Sequence, residues 1–336
     1  MKSFLKSFCN KPKNALLFIS GSIFVILAAV SGLALGSCSL SLSEVISALF
    51  SGADGINGRI VFYVRLPRTC ACLVCGAALA VSGGIIQGVL SNRLASPGII
   101  GVNSGAGLAV TLCTVFGIYG GIEYSVFAFM GALLCVAVIG IGAKKWGASR
   151  STVILMGVAL SSLLNAITHT VVTLNPDAGV MSNDFKIGDF SAVTYQRLVP
   201  SAVLIFLTLF VLFLMTNELD VLCLGEENAA GLGLNTRVMR PFFLILAALL
   251  SGCAVSLAGL LSFVGLIVPN LIRRITGSAS RLLLPLSALF GAGFVTVCDT
   301  LARTLFAPYE IPVGIIMAFL GVPFFIFILI NKREGE

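Results

Sequence analysis

The chain is poor in charge. Asp, Glu, Lys and Arg make up 10% of its 336 residues, and histidine occurs once, at His169. Soluble domains carry about 25% charged and 45–50% apolar residues, whereas 58% of this chain is hydrophobic and its mean hydropathy is +1.07. It could not cover its own surface with polar groups in water. A bilayer removes that need, because about 20 apolar residues span the hydrocarbon core as a helix. The length, which would suit roughly two soluble domains, instead accommodates about ten crossings in one transmembrane domain covering 1–336.

The missing residues also limit the chemistry. With a single histidine there is no Ser–His–acid set, and the chain has no Gly-rich phosphate loop and no His-Glu pair for a metal. Catalysis by this chain is therefore not expected, nor is a resident cofactor or metal. His169 reads as a packing or interface residue. Ion-coupled carriers need ionisable groups inside their spans, and here the only deep candidate is Asp299. It precedes Arg303 by four residues, so the two share a helix face and read as a structural ion pair. A carrier driven by an ion gradient through Asp299 is the alternative class.

Cysteine is more plentiful. Of ten, Cys70, Cys72 and Cys75 resemble a metal motif, but residues two apart on a helix do not share a face. No His or carboxylate is close by in sequence, and buried free cysteine acts as a small hydrophobe. The formal charge of +7 comes without a basic stripe interleaved with aromatics, so no nucleic-acid partner is expected.

Apolar runs place spans at about 15–36, 66–88, 98–117, 123–142, 151–173, 198–216, 241–261, 282–305 and 312–331. A short eighth crossing, Ser262–Leu271, shares the end of the seventh. The first run, Ala15–Leu35, exceeds the 7–15 residues of a signal core and reads as a retained helix. With both termini inside, Arg59, Arg65, Arg68, Lys186, Arg197 and Arg303 fall outside. The other fifteen basic residues, among them Lys2, Lys6, Lys11, Lys332 and Arg333, fall inside, which is the bias the positive-inside rule demands. Without the short crossing the basic C-terminus would lie outside.

Leu42–Phe50 is amphipathic and suits the membrane surface. The inside segment 217–240 is unusual, mixing acids, small residues and leucines into short helices broken at Gly225, Gly231 and Gly233. The 36 glycines include Gly83, Gly84, Gly88, Gly101, Gly105 and Gly107, which suit close helix contacts. Ala80-Val81-Ser82 recurs as Ala254-Val255-Ser256 in an oppositely directed span, so an inverted repeat is possible.

Three blocks carry a family resemblance. The first is Arg65-Leu-Pro-Arg68 with the stretches Gly76–Asn92 and Leu94–Val102. The second is Leu224–Asn235. The third comprises Phe263–Pro269, Arg281–Ser287, Asp299–Arg303, Glu310–Gly314 and Gly321–Phe325. Together they resemble the FecCD family, the permease subunits of ATP-driven importers of ferric siderophores, haem and cobalamin. The resemblance implies an all-α, ten-helix, cobalamin-permease-like fold in a bacterial cytoplasmic membrane. It implies a second permease subunit, identical or paralogous, with the path between the two.

Two ATPase subunits and an extracytoplasmic substrate-binding protein would complete the system. The ATPase-coupling loop maps onto Gly225, Glu226, Glu227, Ala229, Ala230, Gly231, Leu232 and Gly233. Arg65, Arg68 and Arg303 map onto arginines that dock the binding protein. The expected cargo is a ferric siderophore or related metal chelate, with haem or cobalamin as alternatives. Spans five and ten are expected to line the path. Where the family usually has Asn-Pro-Leu-Ala, this chain has Asn92-Arg93-Leu94-Ala95, and it has Pro269-Asn270 in place of Pro-His.

Overall fold

The computed structural model describes residues 12–36, 38, 40–52, 55–145 and 149–330. Lys2, Lys6, Lys11, Cys9, Lys332 and Arg333 lie outside the described residues. Within them, every regular element is a helix. Helix α1 (Pro12–Ala34) is followed by α2 (Leu42–Ser51). Helix α3 (Gly55–Ile60) runs through a π turn at Val61–Arg65 into α4 (Leu66–Val89). Then come α5 (Val102–Val115), α6 (Gly121–Lys145) and α7 (Arg150–Leu174). Two short helices, α8 (Pro176–Met181) and α9 (Asn183–Ile187), lead to α10 (Tyr195–Leu214). Helices α11 (Thr216–Cys223) and α12 (Glu226–Gly231) precede α13 (Thr236–Ala258), α14 (Val264–Thr276), α15 (Ser280–Thr304) and α16 (Val313–Ile330).

Seven helices, with α3–α4 counted as one of 35 residues, are long and apolar enough to cross a membrane. The 14-residue α5, the 13-residue α14 and α16 occupy the other three expected crossings. The chain is a multi-pass membrane protein.

Boundaries differ where polar groups interrupt the apolar run. The second span starts at Gly55 rather than near 66, because Arg65 is buried inside it. Its guanidinium donates to the carbonyls of Leu33 (2.6 Å) and Ala34 (2.7 Å) at the end of α1 and of Cys38 just beyond it. Those bonds neutralise the sequence signal that ended the run. The third span is shorter than 98–117, since a turn through Pro97 and Gly98 ends at the left-handed Gly101 (φ 80°), which caps α5. Helix α14 is separate from α13 and begins after Phe263, also left-handed at φ 68°. In each half, then, a long helix is followed by a short one that starts at a left-handed residue. Helix α2 carries a capping box, with Ser41 accepting from the Glu44 amide and Glu44 accepting from the Ser41 amide.

Helix α4 is the hub and packs on α13, α14 and α15, while α1 lies on α15, and α6 on α5 and α13. Hydrocarbon offers helices no hydrophobic drive to associate, so contact depends on close backbone approach. A Cβ on Gly76 would lie 2.3 Å from the Gly291 carbonyl oxygen, one on Gly83 1.9 Å from that of Gly265, and one on Gly105 2.3 Å from that of Gly131. Gly107 has no such neighbour; its Cβ would meet only Leu260, at 3.9 Å. Ser82 reinforces the α4–α13 contact by donating to the Ala247 carbonyl at 2.7 Å.

Gly83→Ala must therefore push α4 and α14 apart, and is expected to cost about 1–3 kcal/mol or more. Gly140→Ala, with nothing within 4 Å, should gain up to about 1 kcal/mol from helix propensity. Thermal unfolding in detergent compares the two, and equal melting points would contradict the packing account.

Candidate functional site

The segment from α11 to the start of α13 lies at one end of the bundle. Glycine shapes it: Gly225 (φ 108°) precedes α12, and Gly233 (φ 83°) follows it. Both, like Gly231, have open space where a Cβ would go. Ala229 is buried and holds α12 down, whereas Glu226, Glu227, Ala230, Gly231, Leu232 and Gly233 are exposed and Gly225 is half-buried. Leu224 and Leu232, 57% and 65% exposed, add apolar surface.

The loop is tied to the bundle on several sides. Arg150, at the start of α7, donates to the Leu222 carbonyl (3.2 Å) and to Ser91 Oγ after α4. Asp220 accepts from the Ser280 amide at 2.8 Å, at the start of α15. Glu226 pairs with Arg240 of α13. Of the two acids expected to meet a partner, both are exposed, but Glu226 is engaged by Arg240 and Glu227 makes no ion pair among the described residues.

At the opposite end lies an ion-pair network. Arg68 Nε and Nη2 donate to Asp299 at 3.0–3.2 Å, and its Nη1 donates to Glu310 Oε2 at 2.7 Å. Asp189 Oδ1 is 3.8 Å from Arg68 Nη2. Arg303 Nε lies 3.0 Å from Asp299 Oδ2, and its Nη2 donates to the Gly32 carbonyl at 3.1 Å. Asp299 is fully buried, and Arg65, Arg68 and Arg303 are 3–4% exposed. Arg65, Arg68 and Arg303, the expected docking positions, are all engaged within the chain: a guanidinium in apolar surroundings needs acceptors, and the carbonyls at and after the end of α1 and three carboxylates supply them. Sequence reading found the Asp299–Arg303 pair, but not Glu310 and Asp189 as partners of Arg68.

It also missed Arg197. Buried on α10, this residue donates to Ser125 Oγ (2.7 Å) and to the Ala192, Ser256 and Leu257 carbonyls (3.0–3.4 Å), so it caps the end of α13.

A third feature is a face that the chain leaves uncovered. Helix α7 exposes Ser162, Asn165, His169 and Thr173, spaced three or four apart along one side. Such a polar stripe is costly against lipid and points to a partner or a wet path. Beside it, Ser161, Ser162 and Asn165 line a cavity of about 410 Å³, together with Ser262 and Phe263 of the α13–α14 break. The Ser161 hydroxyl is buried there without a hydrogen-bond partner. A second cavity of about 710 Å³, toward the α12 end, is lined by Arg93, Asn270, Arg273 and Arg274 and by no carboxylate. Phe325 of α16 borders both.

Asn270, which replaces the family's usual histidine, donates to the Arg93 and Leu266 carbonyls at 2.9 and 2.8 Å. Cys72 and Cys75 are buried on α4, and Cys75 Sγ lies 3.8 Å from the Ala254 carbonyl. No group of three or more His, Cys, Asp or Glu suited to a metal occurs among the described residues.

Comparison with known proteins adds the following. The model of the FecCD transport family matches residues 23–331. A probable siderophore transport system permease protein of Bacillus subtilis, YfhA, is 34% identical over 300 residues, covering 87% of this chain and 88% of that protein. The hemin transport system permease protein HmuU of Yersinia pestis is 34% identical over 322 residues, covering 93% and 94%. A solved structure attributed to a metal-chelate type ABC transporter, in an inward-facing conformation, superposes with a TM-score of 0.84 at 30% identity, over 95% of this chain and 99% of that one.

The ion-pair network generates a prediction of its own. Asp299→Asn leaves Arg68 and Arg303 buried without their shared carboxylate and should cost about 3–5 kcal/mol. Glu310→Gln, at a side chain 34% exposed, should cost under about 1 kcal/mol. Denaturant unfolding in detergent reads both, and a mild Asp299→Asn would contradict the network's structural role.

Proposed function

Because the chain belongs to the FecCD transport family, as a permease subunit of an ABC importer, we propose that it carries a ferric siderophore or related iron chelate across a bacterial cytoplasmic membrane. Haem and cobalamin are the alternative cargoes. The α12 end faces the cytoplasm, as do both termini, and a separate ATPase, present in two copies, drives transport through the α11–α12 loop. The subunit holds no cofactor of its own.

The observation that carries this reading is the α12 surface. It is small, exposed and glycine-bounded; Glu226 ties it directly to Arg240 of α13, and the preceding α11 is held by Arg150 and Asp220 to the starts of α7 and α15. A push on α12 reaches α13 directly and the other two spans through α11. A second permease copy or paralogue covers the polar face of α7, and the path runs between the two subunits past Phe325. The arginines of the inner cavity favour an anionic chelate there.

An extracytoplasmic binding protein docks on the opposite end. It engages Arg68 and Arg303 only if their ion pairs with Asp299 exchange, so reversing those arginines to Glu would unfold this end before it reported on docking. The gradient-driven alternative has less support, since Asp299 is engaged by two arginines.

Gly231→Trp, alone or with Glu227→Ala, should fill the open space of α12 that a partner's cleft requires. We expect uptake of ferric siderophore by intact cells to fall at least about tenfold, a loss of roughly 1.4 kcal/mol in coupling, with the melting temperature unchanged. Unaltered uptake would remove α12 from the coupling role.

A further inference from the structure

A third cavity lies on the flank of the α12 end, between α6, α7 and the start of α13. It measures about 560 Å³, within the roughly 300–1,000 Å³ usual for small-molecule sites. Its walls are apolar, built by Val136, Ile139, Gly140, Val153, Leu244 and Ile245. Ile245 in its wall is 50% exposed, so the groove opens at the helix surface, beside an apolar run suited to hydrocarbon. Val136 and Ala143, seven positions apart, both line it, so it extends about 10 Å along α6.

Its mouth is cationic. Arg237 and Arg240 sit on the first turns of α13, a helix start with no acidic residue and no side-chain cap from Asn235. That leaves amide N–H groups and the positive end of the helix dipole directed outward. Arg240 is 9% exposed; its Nη2 pairs with Glu226, but its Nε is buried without any hydrogen-bond partner. Arg237 is exposed and makes no ion pair among the described residues. Two arginines against Glu226 leave one positive charge, matching the single negative charge of a phosphodiester.

We infer that this groove binds an anionic phospholipid, with the phosphate on Arg237 and Arg240 and one acyl chain between α6 and α13. A soluble anion would use the arginines and leave the apolar groove empty; a zwitterionic lipid would fill the groove but bring no net charge to the mouth. Through Arg240 the bound phosphate would touch the same guanidinium that holds Glu226, at the start of α12. The lipid and the coupling loop thus share one anchor. This assignment does not depend on which cargo is carried.

The test uses the full chain purified in detergent and mixed with equimolar phosphatidylglycerol and phosphatidylethanolamine, with retained lipid read by native mass spectrometry. Phosphatidylglycerol should be retained at least about tenfold over phosphatidylethanolamine, given two arginines at the headgroup level. The double substitution Arg237→Gln with Arg240→Gln should return the ratio to that of the mixture. Gly140→Leu keeps both arginines, fills open space on a helix, and should also cut retention at least about tenfold.

The site stands only if both substitutions act. No preference in the unaltered chain, or a preference that survives the arginine pair, overturns the headgroup assignment. Full retention in Gly140→Leu overturns the groove. If the arginine pair fails to fold, Gly140→Leu still decides whether the groove is occupied.

Discussion

Everything in this fold follows from the need to bring helix backbones into contact in a solvent that does not drive them together. Lipid tails are as apolar as leucine, so the hydrophobic effect that packs soluble helices is absent. The chain substitutes backbone contact at α4. Gly76 meets Gly291, and Gly83 meets Gly265, at distances where no side chain could intervene. Once α4 is set against α14 and α15, Arg68 is placed beside Asp299, and Gln87 donates to the Gly265 carbonyl at 3.0 Å. The ion-pair network at one end and the polar contacts at the other hang from the same helix.

That rigid hub makes the uncovered surfaces informative. Helices α4 and α13 bury 78% of their most apolar stretch, whereas α7 buries 17% of its own. A lipid-facing helix should be largely apolar on its exposed side. Helix α7 instead carries Ser162, Asn165, His169 and Thr173 there, next to a cavity with an unpartnered serine. The α12 segment is likewise exposed though firmly anchored. Such surfaces are unfinished in the single chain, and the proposed assembly would finish them, with a second permease at α7 and an energy source at α12.

The spans were legible because hydropathy is a local property, and all ten expected crossings correspond to helices. Boundaries failed where a buried polar group mimicked a loop. Arg65 looked like a span end, yet α1 carbonyls satisfy it within the structure. The Asp299–Arg303 pair was legible because four residues is one helical turn. Arg68–Asp299 and Arg68–Glu310 were not, since 231 and 242 residues separate the partners and no local pattern reports such pairing. Glu226 showed the same limit: its acidity was visible, but its engagement by Arg240 depends on how α12 folds back onto α13. The polar stripe on α7 was present in the sequence all along. It was passed over because each residue alone is unremarkable in a span, and only the exposed face unites them.

The central claim is that this chain moves its cargo with energy delivered by a partner at α12. Gentle purification from the native membrane, followed by mass spectrometry of stoichiometric companions, tests it most directly. The account predicts an ATPase subunit recovered at about one copy per permease, as two of each in the assembly require. A protein recovered without companions that still transports in sealed vesicles on an ion gradient would contradict it, and would return the search for an energy source to Asp299.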